Sequence, residues 1–96
     1  MALDDLRRAA ELEPGSARYG YVYAVALDRA GRPQDAVRAL DAVLARHPYD
    51  ADALEAAAAW AMQRGERQTA LGYLMTLRAL RPGDPALDQQ IERLRL

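Results

Sequence analysis

The chain has 96 residues, of which 51% are hydrophobic, and a formal net charge of −1 with acidic and basic residues interspersed. A chain of this length builds one ordinary core, and its mixed charge provides neither the basic stripe of a nucleic-acid-binding domain nor a polybasic membrane patch. Cysteine is absent, which excludes disulfides, thiolate metal sites and haem attachment within the chain.

Residues 1–12 read as a helix with Leu3, Leu6, Ala9, Ala10 and Leu12 assigned to its apolar face. The charged start, Met1-Ala2-Leu3-Asp4-Asp5, lacks a signal-peptide pattern, and no stretch is long and apolar enough for a membrane span. A soluble setting, cytoplasmic or periplasmic, is expected, without membrane insertion. All thirteen basic residues are arginine, and lysine and asparagine are absent, a bias expected of a GC-rich bacterial genome. The first helix has no partner before it, which suggests a segment cut from a longer protein.

Glu13-Pro14-Gly15 ends this helix, and Ser16 is placed to cap the next. Residues 17–30 form that second helix, with Tyr19, Tyr23, Ala24, Ala26, Leu27 and Ala30 assigned to the core. Gly31 permits the left-handed backbone of a chain reversal, and Pro33 suits the first turn of a third helix ending at Arg46. Its core face is Ala36, Val37, Leu40, Val43 and Leu44, and His47-Pro48-Tyr49 stops it. Asp50 then caps a fourth helix over 51–64, Gly65 marks the turn, and a fifth helix covers 68–80 before Arg81-Pro82-Gly83. Asp84 caps a last helix with Pro85 at its first position. Leu87, Ile91 and Leu94 form its apolar face, opposite Asp88, Gln89, Glu92, Arg93 and Arg95, as a terminal lid requires.

These elements repeat. Pro14, Pro48 and Pro82 are spaced 34 residues apart, each followed two residues later by a capping residue, Ser16, Asp50 or Asp84. Leu6, Leu40 and Leu74 stand eight residues before the prolines, and Ala2, Ala36 and Ala70 twelve before. Gly31 and Gly65 keep the same spacing. A fixed period of this length, carrying two helices per unit, resembles the tetratricopeptide repeat family. Ala24 and Ala58, Ala36 and Ala70, and Leu40 and Leu74 match that family's helix-contact positions. Departures occur where the family places tryptophan (Gly20 and Leu54), tyrosine (Leu27 and Ala61) and a late alanine (Val43 and Leu77). The resemblance implies an all-α fold, a right-handed helix-turn-helix repeat solenoid of about six helices with a C-terminal capping helix. It implies a single domain over 1–96: a half repeat at 1–16, repeats at 17–50 and 51–84, and the capping helix at 85–96.

The resemblance also implies a non-enzymatic protein–protein interaction module that holds a peptide or protein segment in a concave groove. Carried onto this chain, the groove positions are Arg18, Tyr21, Val25, Asp28 and Arg29, followed by Asp52, Glu55, Ala59, Met62 and Gln63. Gln89 and Arg93 of the last helix join them. Tyr21 is the expected anchor and Met62 an adaptable contact, while Arg18, Asp28 and Arg29 also read as an ordinary solvated face. Chaperone-binding relatives grip a terminal carboxylate with charged and amide residues. The matching positions here, Tyr21, Val25, Ala56, Ala86 and Gln90, cannot make the charged contacts.

A second reading is a structural spacer or homodimerising segment of a larger bacterial protein, using Leu3 and Leu6 at the open end or Trp60 in the small-residue run 55–61. An enzyme lacks a constellation to support it. His47 is the sole histidine and sits at a helix end, where a protonated imidazole interacts favourably with the dipole. Ser16 is the sole serine and serves as a cap, and Asp4, Asp5, Asp50 and Asp52 suit surface and capping roles. No glycine-rich phosphate loop or metal-ligand cluster is present in the sequence, so no cofactor is expected.

Overall fold

The computed structural model describes residues 2–96. Among them are six α-helices: α1 (Leu3–Leu12), α2 (Ala17–Arg29), α3 (Pro33–Arg46), α4 (Ala51–Gln63), α5 (Arg67–Leu80) and α6 (Pro85–Arg95). The described residues contain no strand. Helices α2 and α4 end one residue earlier than the sequence pattern suggests, and α5 starts one earlier. The expected beginning of the first helix at Met1 lies outside the described residues.

The helix starts are set by side chains at the repeated positions. Ser16 Oγ accepts a hydrogen bond from the Tyr19 N–H at 3.3 Å, and Asp50 Oδ2 accepts from the Ala53 N–H at 3.0 Å. Asp84 Oδ1 accepts from the N–H groups of Ala86 and Leu87 at 3.1 and 3.2 Å. Each cap satisfies backbone donors that the helix itself leaves open, a contribution of about 1 kcal/mol. The turns leading into the first two caps are closed by backbone bonds, from the Ser16 N–H to the Glu13 carbonyl and from the Asp50 N–H to the His47 carbonyl. Pro14 and Pro48 hold the second position of these turns, where their fixed φ is already suitable.

The reversals inside each repeat share one construction. Gly31 and Gly65 have φ of 79° and 75°. The Gly31 N–H donates to the Asp28 carbonyl at 3.1 Å and the Arg32 N–H to the Leu27 carbonyl at 3.0 Å. Thirty-four residues later, Gly65 donates to Met62 at 3.0 Å and Glu66 to Ala61 at 2.9 Å. This paired pattern is a Schellman motif, and its left-handed residue has no steric cost only when it is glycine.

The chain falls into two compact units, Met1–Ala53 and Leu54–Leu96. In the first, α1 and α3 both pack on α2, burying Leu6, Ala24, Leu27, Ala36, Leu40 and Val43. In the second, α5 packs with α6, and Leu54, Ala57, Ala58, Ala61, Ala70, Leu74, Leu77, Leu87 and Ile91 are buried. Full burial of each large aliphatic side chain contributes about 1.5–3 kcal/mol. No polar or charged residue is buried among those described.

Some expected core positions are outside the core. Tyr19 is 46% exposed, because Ala24 and Leu27, the buried positions of α2, point about 110° around the helix from it. Leu12 is 73% exposed, since nine residues of helix rotation carry it about 180° from Leu3. Leu6 is buried and Leu3 half-buried, so the leading helix presents less apolar surface than an open end would. None of the described helices is long and apolar enough to cross a membrane.

Candidate functional site

Helix α2 has two apolar sides. One, through Ala24 and Leu27, is buried. The other is centred about 160° around the helix from it and carries Tyr21, Val22, Val25 and Ala26, all half-buried. An amphipathic surface helix normally turns polar groups in that direction. These four residues, with Arg18 and Arg29, line a shallow hollow of about 220 Å³. The structure therefore brings together four of the five groove candidates of the first repeat: Arg18, Tyr21, Val25 and Arg29. Asp28 is exposed and outside the lining. The sequence reading gave Val22 no role and placed Ala26 on the core face, though their i, i+4 spacing sets both on the side of α2 that lines the hollow.

The two arginines close the ends of this strip. Arg18 stands in the first turn of α2 and Arg29 in the last, about 16 Å apart along the axis. Arg29 is favoured there by the helix dipole, whereas a cation in the first turn is disfavoured by about 0.3–1 kcal/mol. Neither has an ion-pair partner among the described residues.

The second set of candidates is placed differently. Asp52 is exposed in the first turn of α4, where a carboxylate is favoured by the dipole, and Gln63 is exposed at its end. Glu55 is held by an ion pair with Arg81, both partly exposed. Gln90 Nε2 lies 3.8 Å from Met62 Sδ, a weak hydrogen bond from α6 to α4. Glu55 and Ala59 line a separate hollow of about 300 Å³ with Leu74, Leu77, Arg81 and Gln90 among its walls. Gln89 and Arg93 are exposed on α6.

His47 closes α3 through its backbone N–H, which donates to the Val43 carbonyl at 2.7 Å. Its imidazole Nε2 is 3.5 Å from the Pro14 carbonyl oxygen and ties the first proline turn to the second. No group of three or more His, Cys, Asp or Glu residues among those described is arranged to hold a metal ion.

Residues 18–60 match the tetratricopeptide repeat family, a span that takes in α2, α3 and most of α4. The chain carries a match to the tetratricopeptide repeat over a little under half of its length. No curated protein matches it. Tetratricopeptide repeats serve in general as protein–protein interaction modules, and the matched span is similar to that class at that level of description. Its matched span contains the whole α2 strip from Arg18 to Arg29.

Proposed function

We propose that this chain is a non-enzymatic module that holds a peptide or protein segment against the side of α2 remote from Ala24 and Leu27. The observation that supports this reading is the apolar strip of Tyr21, Val22, Val25 and Ala26 with an unpaired arginine at each end. A segment that fits it carries one or two apolar side chains for the hollow and carboxylates spaced to reach Arg18 and Arg29. Tyr21 supplies the largest contact area at a low conformational-entropy cost. Asp28 beside Arg29 limits how much negative charge the strip accepts at that end. On α4, Asp52, Glu55, Met62 and Gln63 are proposed as contacts of the same kind, with Glu55 exchanging Arg81 for a partner group. The repeats at 17–50 and 51–84, preceded by a half repeat and followed by a capping helix, form the proposed domain.

The test is selection of ligands from a displayed random-peptide library on the full chain, followed by affinity measurement. Selected peptides should combine apolar residues with flanking carboxylates. A Tyr21→Ala/Arg29→Ala variant with an unchanged circular dichroism spectrum should bind them at least about tenfold more weakly. Equal affinity for the folded variant would rule out the α2 strip as the binding surface.

A further inference from the structure

A second hollow, of about 280 Å³, opens within the first unit, away from the α2 strip. Its walls come from α1 (Arg7, Ala10 and Glu11), from α2 (Gly20 and Tyr23), and from α3 (Ala39, Ala42, Val43 and Arg46), with His47 at the end. The α3 residues follow the i, i+3, i+4, i+7 spacing of a single helix face. Alanine contributes little bulk at Ala10, Ala39 and Ala42, so the space between α1 and α3 stays open, while Gly20 is covered closely by Val43.

The chain contains its own comparison. Thirty-four residues on, the counterpart of Gly20 is Leu54, that of Ala39 is Tyr73, that of Ala42 is Thr76, and that of Val43 is Leu77. Leu54 and Leu77 are buried, at 2% and 3% exposure. These four positions are thus smaller in the first repeat than in the second, while Tyr23, against Ala57, and Glu11, against Ala45, are larger. Tyr23 makes up for the ring absent at position 39, so the first repeat is short by about one aliphatic side chain. Close packing is the norm in protein interiors, so an opening of about 280 Å³ with largely apolar walls is a place for an apolar guest.

The charge at the mouth limits what the guest is. Arg46 has no ion-pair partner among the described residues. Its counterpart in the second repeat is Leu80, so repeat architecture does not demand a cation there. Arg7 is held only loosely, 3.7 Å from Asp4 and 3.9 Å from Glu11, and both carboxylates are well exposed. His47 directs its ring Nε2 to the Pro14 carbonyl and so offers the guest no donor from that nitrogen. Two arginines stand against one lining carboxylate, Glu11, so the mouth favours an anion.

We propose that this hollow binds a small aromatic carboxylate, its ring lying between Tyr23 and the alanines of α1 and α3 and its carboxylate meeting Arg46. Tyr23 offers an aromatic surface to the ring, and the guanidinium of Arg46 presents paired donors to the two carboxylate oxygens.

The test uses the full chain with indole-3-propionate as probe, followed by calorimetry and by NMR shifts of the alanine methyls. Binding should occur with a dissociation constant on the order of 1 mM or tighter, with shifts at Ala10, Ala39 and Ala42. Ala42 is exposed, so Ala42→Leu fills the hollow without threatening the fold, and it should weaken binding at least about tenfold. Arg46→Gln, and separately the uncharged amide of the probe, should each weaken it about three- to tenfold. Circular dichroism should show both variants folded. No binding up to about 5 mM, or undiminished binding by Ala42→Leu, would overturn the proposal. Equal affinity for acid and amide would remove the role of the cationic mouth. Binding of a tetrapeptide ending in tryptophan, with none of the free acid, would show a polypeptide terminus as the guest and overturn the assignment to a small molecule.

Discussion

Gly20→Ala should destabilise a helix that alanine ordinarily strengthens. In an open helix the change is worth about 1 kcal/mol of added stability. At Gly20, a Cβ would lie 2.5 Å from Val43 Cγ2, far inside normal contact. Val43 is only 6% exposed, and its β-branched side chain has few alternative rotamers. Overpacking of this kind costs about 1–3 kcal/mol, so the net effect in the natural background is a loss of about 0–2 kcal/mol. Removing the obstacle should reverse the sign. In a Val43→Ala background, Gly20→Ala should stabilise by about 1 kcal/mol, giving a coupling of about 1–3 kcal/mol between the two positions. Gly72 provides the control: it is helical and exposed, nothing lies within 4 Å of an added Cβ, and Gly72→Ala should stabilise by about 1 kcal/mol. Urea denaturation followed by circular dichroism measures all four values. The reasoning is refuted if Gly20→Ala stabilises the natural chain as much as Gly72→Ala does, or changes stability equally in both backgrounds.

Other substitutions follow from the same geometry. Gly31→Ala and Gly65→Ala each force a left-handed alanine and should destabilise by about 1–2 kcal/mol in denaturant titrations, with similar values because the two Schellman motifs match. Asp50→Ala and Asp84→Ala should each lower stability by about 1 kcal/mol, and Asp→Asn at either position should recover most of it because asparagine caps as well. The Glu55–Arg81 pair is partly exposed, so a double-mutant cycle with Glu55→Gln and Arg81→Gln should return no more than about 1 kcal/mol, falling further in high salt.

What was legible in the sequence was mostly local. A capping side chain acts on N–H groups within three residues, and a Schellman glycine on carbonyls within five, so spacing alone places Ser16, Asp50, Asp84, Gly31 and Gly65. The stripe of α3 was also legible: Ala36, Leu40 and Val43 are buried as their spacing suggests. On α2 the same reading assigned Tyr19 to the core, and the structure leaves it on the flank. Helix α2 is packed by both α1 and α3, and a helix with two neighbours does not follow one stripe. Its other apolar side was seen only in part, because the groove positions were carried from the family resemblance rather than from burial. The closeness of Gly20 to Val43, the hollow beside them and the Glu55–Arg81 pair depend on how helices meet. The 34-residue comparison of Gly20 with Leu54 was available as a signal for the close approach of α3 at Val43, since it shows a side chain missing at one helix contact.

The most direct measurement of the central claim is site-specific photocrosslinking to a peptide selected on the full chain. A benzoylphenylalanine placed at position 18 or 25, on the α2 strip, should crosslink the bound peptide, and the same group at position 67, an exposed arginine on α5, should not. Crosslinks from 18 and 25 alone would place the segment on α2. Equal crosslinking from 67, or none from 18 and 25 while the peptide remains bound, would contradict the account.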